Sequence, residues 1–339
     1  MVTGEPVQGE LLNRLQGFLR AQELEYDPAI QYSVMLMEDD EIAATGSLDG
    51  ATIKCVAVSP AHQGEDLTAQ VLTALIQKAT QDGHHHLMLY TKPRIQYLFA
   101  PFGFHPVIRT ADVLLMENRR GGLDRFLQEL SKPADEEKPV GCIVANCNPF
   151  TLGHRYLIEK AASECAWVHL FILSENRGMF TPDERLAMVR AGCADLSNVL
   201  IHPTGPYMVS SSTFPSYFIK DKQRVDGIHC ELDIRLFGEK IAPALHITRR
   251  YVGTEPGCAV TAQYNARMKE LLPPYGIELI EIERKTAFGS FISASLVRRL
   301  IDEGRLSELP DLLPQSTLQM IHTREGEVPC RIPTECSET

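Results

Sequence analysis

The residues Thr151 to His154 bring a hydroxyl, a glycine and an imidazole to the junction of two local patterns. The apolar run Val140–Ala145 before them is typical of a buried parallel strand, and the apolar residues after them have the spacing of an amphipathic helix. In an open α/β sheet such a junction faces the crevice where ligands bind, and a helix N-terminus attracts phosphate. Gly153 allows close backbone approach, and His154 can donate a hydrogen bond to a transferred phosphate. An ordinary helix start explains these residues equally well, so this stretch alone leaves both interpretations open.

A second group of residues suited to phosphate chemistry lies at 292–300. Ser293 is placed to cap a helix, and Ser295 and Arg298 are three residues apart, so they share one face near its N-terminus. A hydroxyl, a guanidinium and free backbone N–H groups then converge on one point, which suits the β- and γ-phosphates of ATP. Taken alone, the pattern also fits a capped surface helix with a solvated arginine. The two groups together favour a site for nucleotide transfer, because phosphoryl chemistry needs fixed donors and cations.

The segments between the two groups indicate the sheet that must carry them. Short apolar runs alternate with helical segments, which predicts a doubly wound parallel sheet of Rossmann-like type. Thr181 is placed to cap a helix that starts at Pro182, with Glu184 completing a capping box. The predicted strands of this sheet are 140–145, 168–173, 199–202, 227–232, 249–253 and 277–282.

The preceding part of the chain, residues 1–130, has a different order of helices and strands. This order resembles the acetyltransferase fold of the GNAT family, with 56–67 at the position of its acyl-CoA pyrophosphate loop and 99–107 matching a later segment. Asp66 and Thr68 stand where the family pattern has glycines, and an aspartate disfavours a bound pyrophosphate. We therefore expect a GNAT-like α+β domain without acetyltransferase activity of its own.

The polar stretch 131–139 is predicted to be a linker, and the nucleotidyltransferase-like domain is predicted to span 140–314. Residues 315–339 have no apolar period and are rich in helix breakers, so we expect a flexible C-terminal tail.

Composition narrows the functional classes further. The formal net charge of −11 argues against sequence-independent binding to nucleic acid. The N-terminus lacks the pattern of a secretory signal, and no apolar run reaches the roughly 18 residues of a membrane span. Nine scattered cysteines without a CxxC pair favour a reducing, cytoplasmic setting. The run His84–His86 has no evident carboxylate or cysteine partner, so no metal site is predicted.

The two groups of residues resemble the TxGH and ISxSxxR signatures of the nucleotidyltransferase superfamily, and the likeness extends further. Five segments together resemble the citrate lyase ligase family, as does the order of a GNAT-like module ahead of a nucleotidyltransferase-like one. These segments are 146–162, 174–189, 210–221, 251–256 and 292–300. The resemblance implies a two-step reaction in which acetate and ATP form acetyl-adenylate and pyrophosphate. The acetyl group then passes to the thiol of a phosphoribosyl-dephospho-CoA arm on the acyl-carrier subunit of citrate lyase.

Site roles follow from the resemblance. His154 and Thr151 would hold the α-phosphate, and Arg298 would bind the leaving pyrophosphate. The nucleotide-binding residues would include Asn148, Phe150, Gly153, Ser293 and Ser295. Asn148 and Phe150 would shape the loop, through backbone contacts if they touch the nucleotide.

Other residues are assigned less directly. Gly253, Thr254 and Glu255 end a predicted strand and can approach the nucleotide, although a simple turn explains them equally well. Mg²⁺ would bridge the phosphates, without a dedicated acidic motif. Cys147 and Cys258 flank the motif loops, but the attacking groups come from acetate and the carrier thiol, so no protein nucleophile is needed.

Because the acceptor thiol sits on a CoA-like arm, the GNAT-like module is expected to dock that arm. Two alternatives from other classes remain. One is an adenylyltransferase that joins AMP to phosphopantetheine or nicotinamide mononucleotide and releases a stable dinucleotide. The other is a non-catalytic carrier-binding regulator, against which the intact set of His154, Ser295 and Arg298 speaks.

Overall fold

The computed structural model describes residues 1–133, 135, 138–176, 178–210, 214–255, 259–287 and 289–325. The chain divides into two compact units. Unit 1 contains residues 1–128 and 211–236, and unit 2 contains residues 129–210 and the chain from 237 onward. No helix in the described ranges combines the length and the apolar character that crossing a membrane requires.

The helices are α1 (Gly9–Ala21), α2 (Leu67–Gln81), α3 (Gly122–Glu129), α4 (Leu152–Glu164), α5 (Pro182–Gly192), α6 (Val225–Leu236), α7 (Ala242–Ala244), α8 (Ala259–Leu271), α9 (Ala294–Asp302) and α10 (Gln315–Glu325). The strands are β1 (Val2–Gly4), β2 (Tyr32–Glu38), β3 (Glu41–Asp49), β4 (Thr52–Val58), β5 (Met88–Thr91), β6 (His105–Arg109), β7 (Leu114–Glu117), β8 (Val140–Ala145), β9 (Trp167–Ile172), β10 (Val199–Pro203), β11 (Arg249–Gly253), β12 (Glu278–Ile282), β13 (Thr286–Ala287) and β14 (Ser290–Phe291).

Unit 1 is built on a seven-stranded sheet in the order β1-β2-β3-β4-β5-β7-β6. Its neighbouring strands are antiparallel except β4 and β5, which run parallel. Helix α2 packs its apolar stripe on this sheet. Gly46 permits that approach, since a Cβ there would lie 2.6 Å from Val71 Cγ1. The expected α+β architecture of this part is confirmed.

Residues 211–236 belong to unit 1, although the sequence placed them inside a continuous domain 140–314. The reason is long-range packing of aromatic side chains. Phe214 stacks edge-on against Tyr90, and Tyr217 packs beside the apolar cluster that includes Leu15 and Leu19. The predicted strand 227–232 is wrong. It lies in α6, which has buried residues on several sides, namely Ile228, Cys230, Leu232, Ile234 and Leu236.

Unit 2 is built on a five-stranded parallel sheet in the order β10-β9-β8-β11-β12. The order in which the chain adds strands reverses between β8 and β11, which is the switch point at which doubly wound folds bind ligands. The hydrophobic core of unit 2 includes Ile143 of β8, Ile158 of α4, Met188 of α5 and Val297 of α9. The predicted doubly wound parallel sheet is confirmed.

The predicted tail at 315–339 is wrong for its first part. Residues Gln315–Glu325 form α10, whose Leu318 and Ile321 are buried in the core of unit 2. The remainder, 326–339, lies outside the described residues, as do Cys258 and residues 211–213 of the segment 210–221. The predicted linker is tied to unit 2, because Trp167 Nε1 donates to Asp135 Oδ1 over 2.7 Å and the backbone N–H of Ala166 donates to the Pro139 carbonyl oxygen over 2.9 Å.

Candidate active site

Helix α4 begins directly after the loop that follows β8, and Thr151 caps it. Thr151 Oγ1 accepts a hydrogen bond from the backbone N–H of His154 over 3.3 Å. The ring of His154 returns the bond, with its Nδ1 accepting from the backbone N–H of Thr151 over 3.1 Å. Histidine therefore takes the place that glutamate or glutamine has in an ordinary capping box.

This cap fixes the protonation state of His154. Because Nδ1 accepts from the Thr151 backbone, the proton of the neutral ring lies on Nε2. Burial lowers the pKa of His154 to about 4, and the positive charge of Arg284 lowers it in the same direction. The ring is therefore neutral near pH 7. His154 lines a cavity, and its neutral ring can act there as a fixed hydrogen-bond donor through Nε2–H.

Helix α9 supplies the second half of the site. Ser293 caps it, with Oγ accepting from the backbone N–H of Leu296 over 3.1 Å. Arg298 donates to Ser295 Oγ over 3.1 Å and to the carbonyl oxygen of Asn148 over 2.6 Å. The arginine thus ties the N-terminus of α9 to the loop that follows β8. Burial lowers the pKa of Arg298 from its ordinary value.

Gly153 sets the distance between the two helix N-termini. A Cβ at this position would lie 2.9 Å from the carbonyl oxygen of Ile292, the residue just before the Ser293 cap. Because the obstacle is backbone, a side chain cannot be accommodated without moving one of the two helices. The sequence predicted close approach of Gly153 to phosphate, and this stays a prediction; in the structure Gly153 lies against Ile292 and also lines a cavity.

The loop after β11 forms a third wall. Gly253, Thr254 and Glu255 end that strand, and Arg284 reaches them from the loop after β12. Arg284 Nε donates to the carbonyl oxygen of Thr254 over 2.8 Å, and its guanidinium forms an ion pair with Glu255. Both side chains of the pair are mostly buried, at 28% and 14% exposed.

These walls enclose a cavity of about 670 Å³ at the carboxyl edge of the sheet. The structure brings most of the predicted site residues to its lining. They are Thr151, Gly153, His154, Gly253, Glu255, Ser293 and Ser295. Four other predicted residues lie outside this lining, namely Asn148, Phe150, Thr254 and Arg298.

Three side chains behind the motif loop have supporting positions. Phe150 is fully buried and its ring stacks at 6.1 Å on the ring of His154. Asn148 Oδ1 accepts from the backbone N–H of Phe180 over 3.1 Å. Arg185 is also fully buried and donates to the carbonyl oxygens of Asn146 and Glu175, which joins the loops after β8 and β9. These contacts hold the loop in place from inside the protein.

Several cavity residues were missed in the sequence. Arg284, Lys285 and Arg299 add positive charge, and Tyr156 and Phe291 add aromatic surface. A usable signal existed for Arg284 and Lys285, because they lie just after a predicted strand of the parallel sheet. Arg299 is adjacent to Arg298 of the motif. The geometry of α9, which the sequence alone does not give, decides that Arg299 and not Arg298 lines the cavity.

Cys147 and His86 have environments that their sequence neighbours did not indicate. Cys147 is fully buried, and burial raises the pKa of its thiol, which disfavours a nucleophilic thiolate. His86 does have a carboxylate neighbour, since its Nε2 lies 2.7 Å from Glu117 Oε2. This contact was not predictable from the local pattern, because the two residues meet only through the pairing of distant strands.

Comparison with known proteins supplies a context for this site. A family described as the citrate lyase ligase C-terminal domain matches residues 140–321. The citrate (pro-3S)-lyase ligase of Klebsiella pneumoniae is 38% identical over 90% of this chain and 90% of its own. That of Haemophilus influenzae is 40% identical over 91% of this chain and 95% of its own. A phosphopantetheine adenylyltransferase of Staphylococcus carnosus is 26% identical over 43% of this chain and 95% of its own.

Proposed function

The chain belongs to the citrate lyase ligase family, and from that premise we propose a two-step ATP-dependent acetyl transfer to the carrier of citrate lyase. In the first step, an acetate oxygen attacks the α-phosphorus of ATP and the bond to the β-phosphate breaks, so that pyrophosphate leaves. In the second step, the thiolate of the carrier's phosphoribosyl-dephospho-CoA arm attacks the acetyl carbon and AMP leaves. The product is the acetylated, active form of citrate lyase.

The convergence of two capped helix N-termini on one cavity carries this proposal. The positive ends of the α4 and α9 helix dipoles favour anions, and Lys285 and Arg299 add cations on the same lining. A triphosphate needs such a combination. His154 then donates from Nε2 to the α-phosphate, where negative charge increases as acetate attacks. Thr151 orients this ring through the cap, and Arg298 steadies the segment that receives the pyrophosphate.

Mg²⁺ is part of the proposal, with the nucleotide as its main ligand. Glu255 and Glu283 are the carboxylates that line the cavity within the described ranges. Glu255 is engaged by Arg284, so these two carboxylates do not form a dedicated acidic cluster. With so few carboxylates in the lining, the nucleotide itself would supply much of the metal's coordination. When bound, the metal would offset phosphate charge.

The acceptor arm is proposed to dock on unit 1. Strands β4 and β5 pair only at Thr52–Met88 and Ile53–Leu89 and then separate. A cavity of about 230 Å³ lies at the split, lined by apolar side chains, by Lys92 and Arg94, and by Glu23, whose carboxylate pairs with Lys220. The arm's phosphates would meet these cations. The loop after β4 is a less favourable place for them, because it presents the carboxylate of Asp66 at the start of α2.

Titration of the full chain with dephospho-CoA tests this docking site. We expect binding that Lys92→Ala combined with Arg94→Ala weakens, because the phosphates lose both cations. Arg119→Ala combined with Arg120→Ala is the matched control, since neither of these arginines lines the cavity. Absence of binding to dephospho-CoA and to the loaded carrier would remove this part of the proposal.

A cytoplasmic setting is also proposed. The six described cysteines are buried thiols, which suits a reducing compartment.

Pyrophosphate release from ATP, measured with and without acetate, tests the reaction class. We expect release that depends on acetate, accumulation of free AMP after carrier is added, and acetylation of the carrier thiol by mass spectrometry. A stable dinucleotide formed from phosphopantetheine or nicotinamide mononucleotide would instead establish the adenylyltransferase alternative. The curated relatives favour the ligase, since their match covers both units and the adenylyltransferase match covers less than half of the chain.

A further inference from the structure

Arg284 belongs to neither sequence signature, yet it joins two walls of the unit 2 cavity. It follows β12 and crosses to the end of β11, the neighbouring parallel strand. Its Nε–H donates to the Thr254 carbonyl oxygen over 2.8 Å, and its guanidinium pairs with the Glu255 carboxylate. The side chain also runs along Gly253, where a Cβ would lie 3.7 Å from both Cγ and Nε of Arg284.

The contacts are of a kind that lysine cannot reproduce. A guanidinium presents several N–H groups in a fixed plane, so it can bond a carbonyl and a carboxylate at once. An ammonium group carries the same charge on a compact, mobile head. The loop 253–255 is therefore held by the shape of Arg284 as well as by its charge.

The charge of Arg284 acts on the motif histidine. Both side chains line the same cavity, and the arginine lowers the pKa of His154 beyond the effect of burial. The titratable and charged side chains that face this cavity come from every wall. They are His154, Tyr156, Glu255, Glu283, Arg284, Lys285 and Arg299.

We propose that Arg284 is a positioning residue of the adenylylation step, which holds the 253–255 loop in the nucleotide cavity and places a fixed positive charge beside His154. The proposal rests on the proposed function, since it assigns the nucleotide to this cavity. It adds a residue that the signatures do not contain. It also gives Glu255 a defined task, which is to anchor the guanidinium while its backbone neighbours face the nucleotide.

Two substitutions separate the two roles. Arg284→Lys keeps the charge and loses the planar set of donors, so we expect KM for ATP to rise about 10-fold or more, the scale of losing a charged hydrogen bond. The acidic limb of its kcat/KM profile should stay in place. Arg284→Met loses both, so we expect a similar or larger rise in KM and an acidic limb displaced to higher pH, because the pKa of His154 rises when the nearby cation is removed.

Arg249→Met is the matched control. Arg249 forms an ion pair with Glu278 between the same two strands, at their opposite end. A purely structural role for Arg284 predicts that both methionine variants behave alike, with lower thermal stability and unchanged KM and pH limb. That result would overturn the proposal, as would an unchanged KM in both Arg284 variants.

Two readouts do not depend on acetate chemistry. The pKa of His154 can be read by NMR titration of its imidazole signal, assigned by comparison with His154→Gln, and binding of a non-hydrolysable ATP analogue can be measured by calorimetry. If the enzyme showed no acetate-dependent release but Arg284→Met raised the His154 pKa and weakened the analogue, the proposed reaction would fail and the role of Arg284 would stand. If the reaction were confirmed and neither readout changed in Arg284→Met, the role of Arg284 would be refuted.

Discussion

Substitution of His154 gives a prediction in which stability and catalysis can be separated. The ring makes two contributions in the structure. Its Nδ1 completes the cap of α4 by accepting from the Thr151 backbone over 3.1 Å, and its Nε2–H is the proposed donor to the α-phosphate. Alanine removes both. Glutamate restores the cap, since it is the usual residue at this position of a capping box and is favoured in a first helical turn.

The magnitudes differ enough to be measured. Loss of a cap contact costs about 1 kcal/mol, which lowers the midpoint of thermal unfolding by about 2–4 °C for a unit of this size. Loss of one transition-state donor lowers kcat by about 10²–10³-fold. His154→Ala is therefore expected to be slightly less stable and at least about 10²-fold slower. His154→Glu is expected to keep its stability and to be at least as slow, because its carboxylate repels the triphosphate.

The assay is acetate-dependent pyrophosphate release with thermal unfolding of each variant, and His85→Ala is the control because His85 is exposed and outside the cavity. Wild-type rate in His154→Glu would refute the assigned role. The pH profile gives a second check. Since the pKa of His154 is lowered to about 4, its neutral form predominates throughout the range from about pH 5.5 to about pH 8 and should produce no fall in rate there. If the ring instead kept its ordinary pKa of about 6.5 and its cationic form were the active one, the rate would fall as pH rises through that value.

Two further predictions concern the contact of Gly153 with Ile292 and the buried pair of His169 and His202. Gly153→Ala places a Cβ 2.9 Å from the Ile292 carbonyl oxygen, so it should weaken binding of an ATP analogue by about 10-fold or more, the scale of one lost charged contact, while Gly227→Ala, where nothing lies within 4 Å, should not. Equal affinity in both alanine variants, measured by calorimetry, would contradict the assigned contact. Acid stability should depend on the buried pair His169 and His202, whose ring nitrogens are 3.0 Å apart. Burial lowers the pKa values of His169 and His202 to about 3 and about 4. In the unfolded chain both histidines have the ordinary pKa of about 6.5, so below that pH the unfolded chain binds more protons than the folded one. The free energy of unfolding should therefore decrease as pH falls from about 6.5 towards about 4. Urea unfolding at about pH 7.5 and about pH 5 should show this decrease, and a smaller one in His169→Gln; the same pH dependence in both proteins would exclude the pair as its source.

Local chemistry was predictable from the sequence where it involves neighbours along the chain. The caps by Thr181 and Ser293 need only residues three positions apart, and both form as expected. The strand before Thr151 was recognisable because a buried parallel strand is continuously apolar. The two signatures could be placed at helix N-termini for the same reason, since a cap and the first helical turn lie within a few residues of each other.

Features that depend on distant packing were not predictable in this way. The segment 211–236 joins unit 1 because Phe214 and Tyr217 find apolar partners far away in sequence, and α10 forms because Leu318 and Ile321 complete the core of unit 2. Neither has a strong period of its own. The Arg284–Glu255 pair likewise depends on which strands are neighbours in the sheet, which composition does not reveal.

The order of strands explains why these separate signals meet in one site. With β8 and β11 adjacent and parallel, their carboxyl ends open on the same edge, and the loops that follow them leave in opposite directions. Helix α4 starts from the loop after β8. Arg284 holds the loop after β11 through its bond to the Thr254 carbonyl oxygen. The remaining gap is closed by α9, which is brought to this edge by the contact between Gly153 and Ile292 and by the bond from Arg298 to Asn148. The position of the proposed phosphate site thus depends on contacts to backbone atoms, namely the approach of Gly153 to Ile292 and the bond from Arg298 to the Asn148 carbonyl oxygen. Substitutions such as Gly153→Ala should therefore impair nucleotide binding as strongly as removal of a charged ligand.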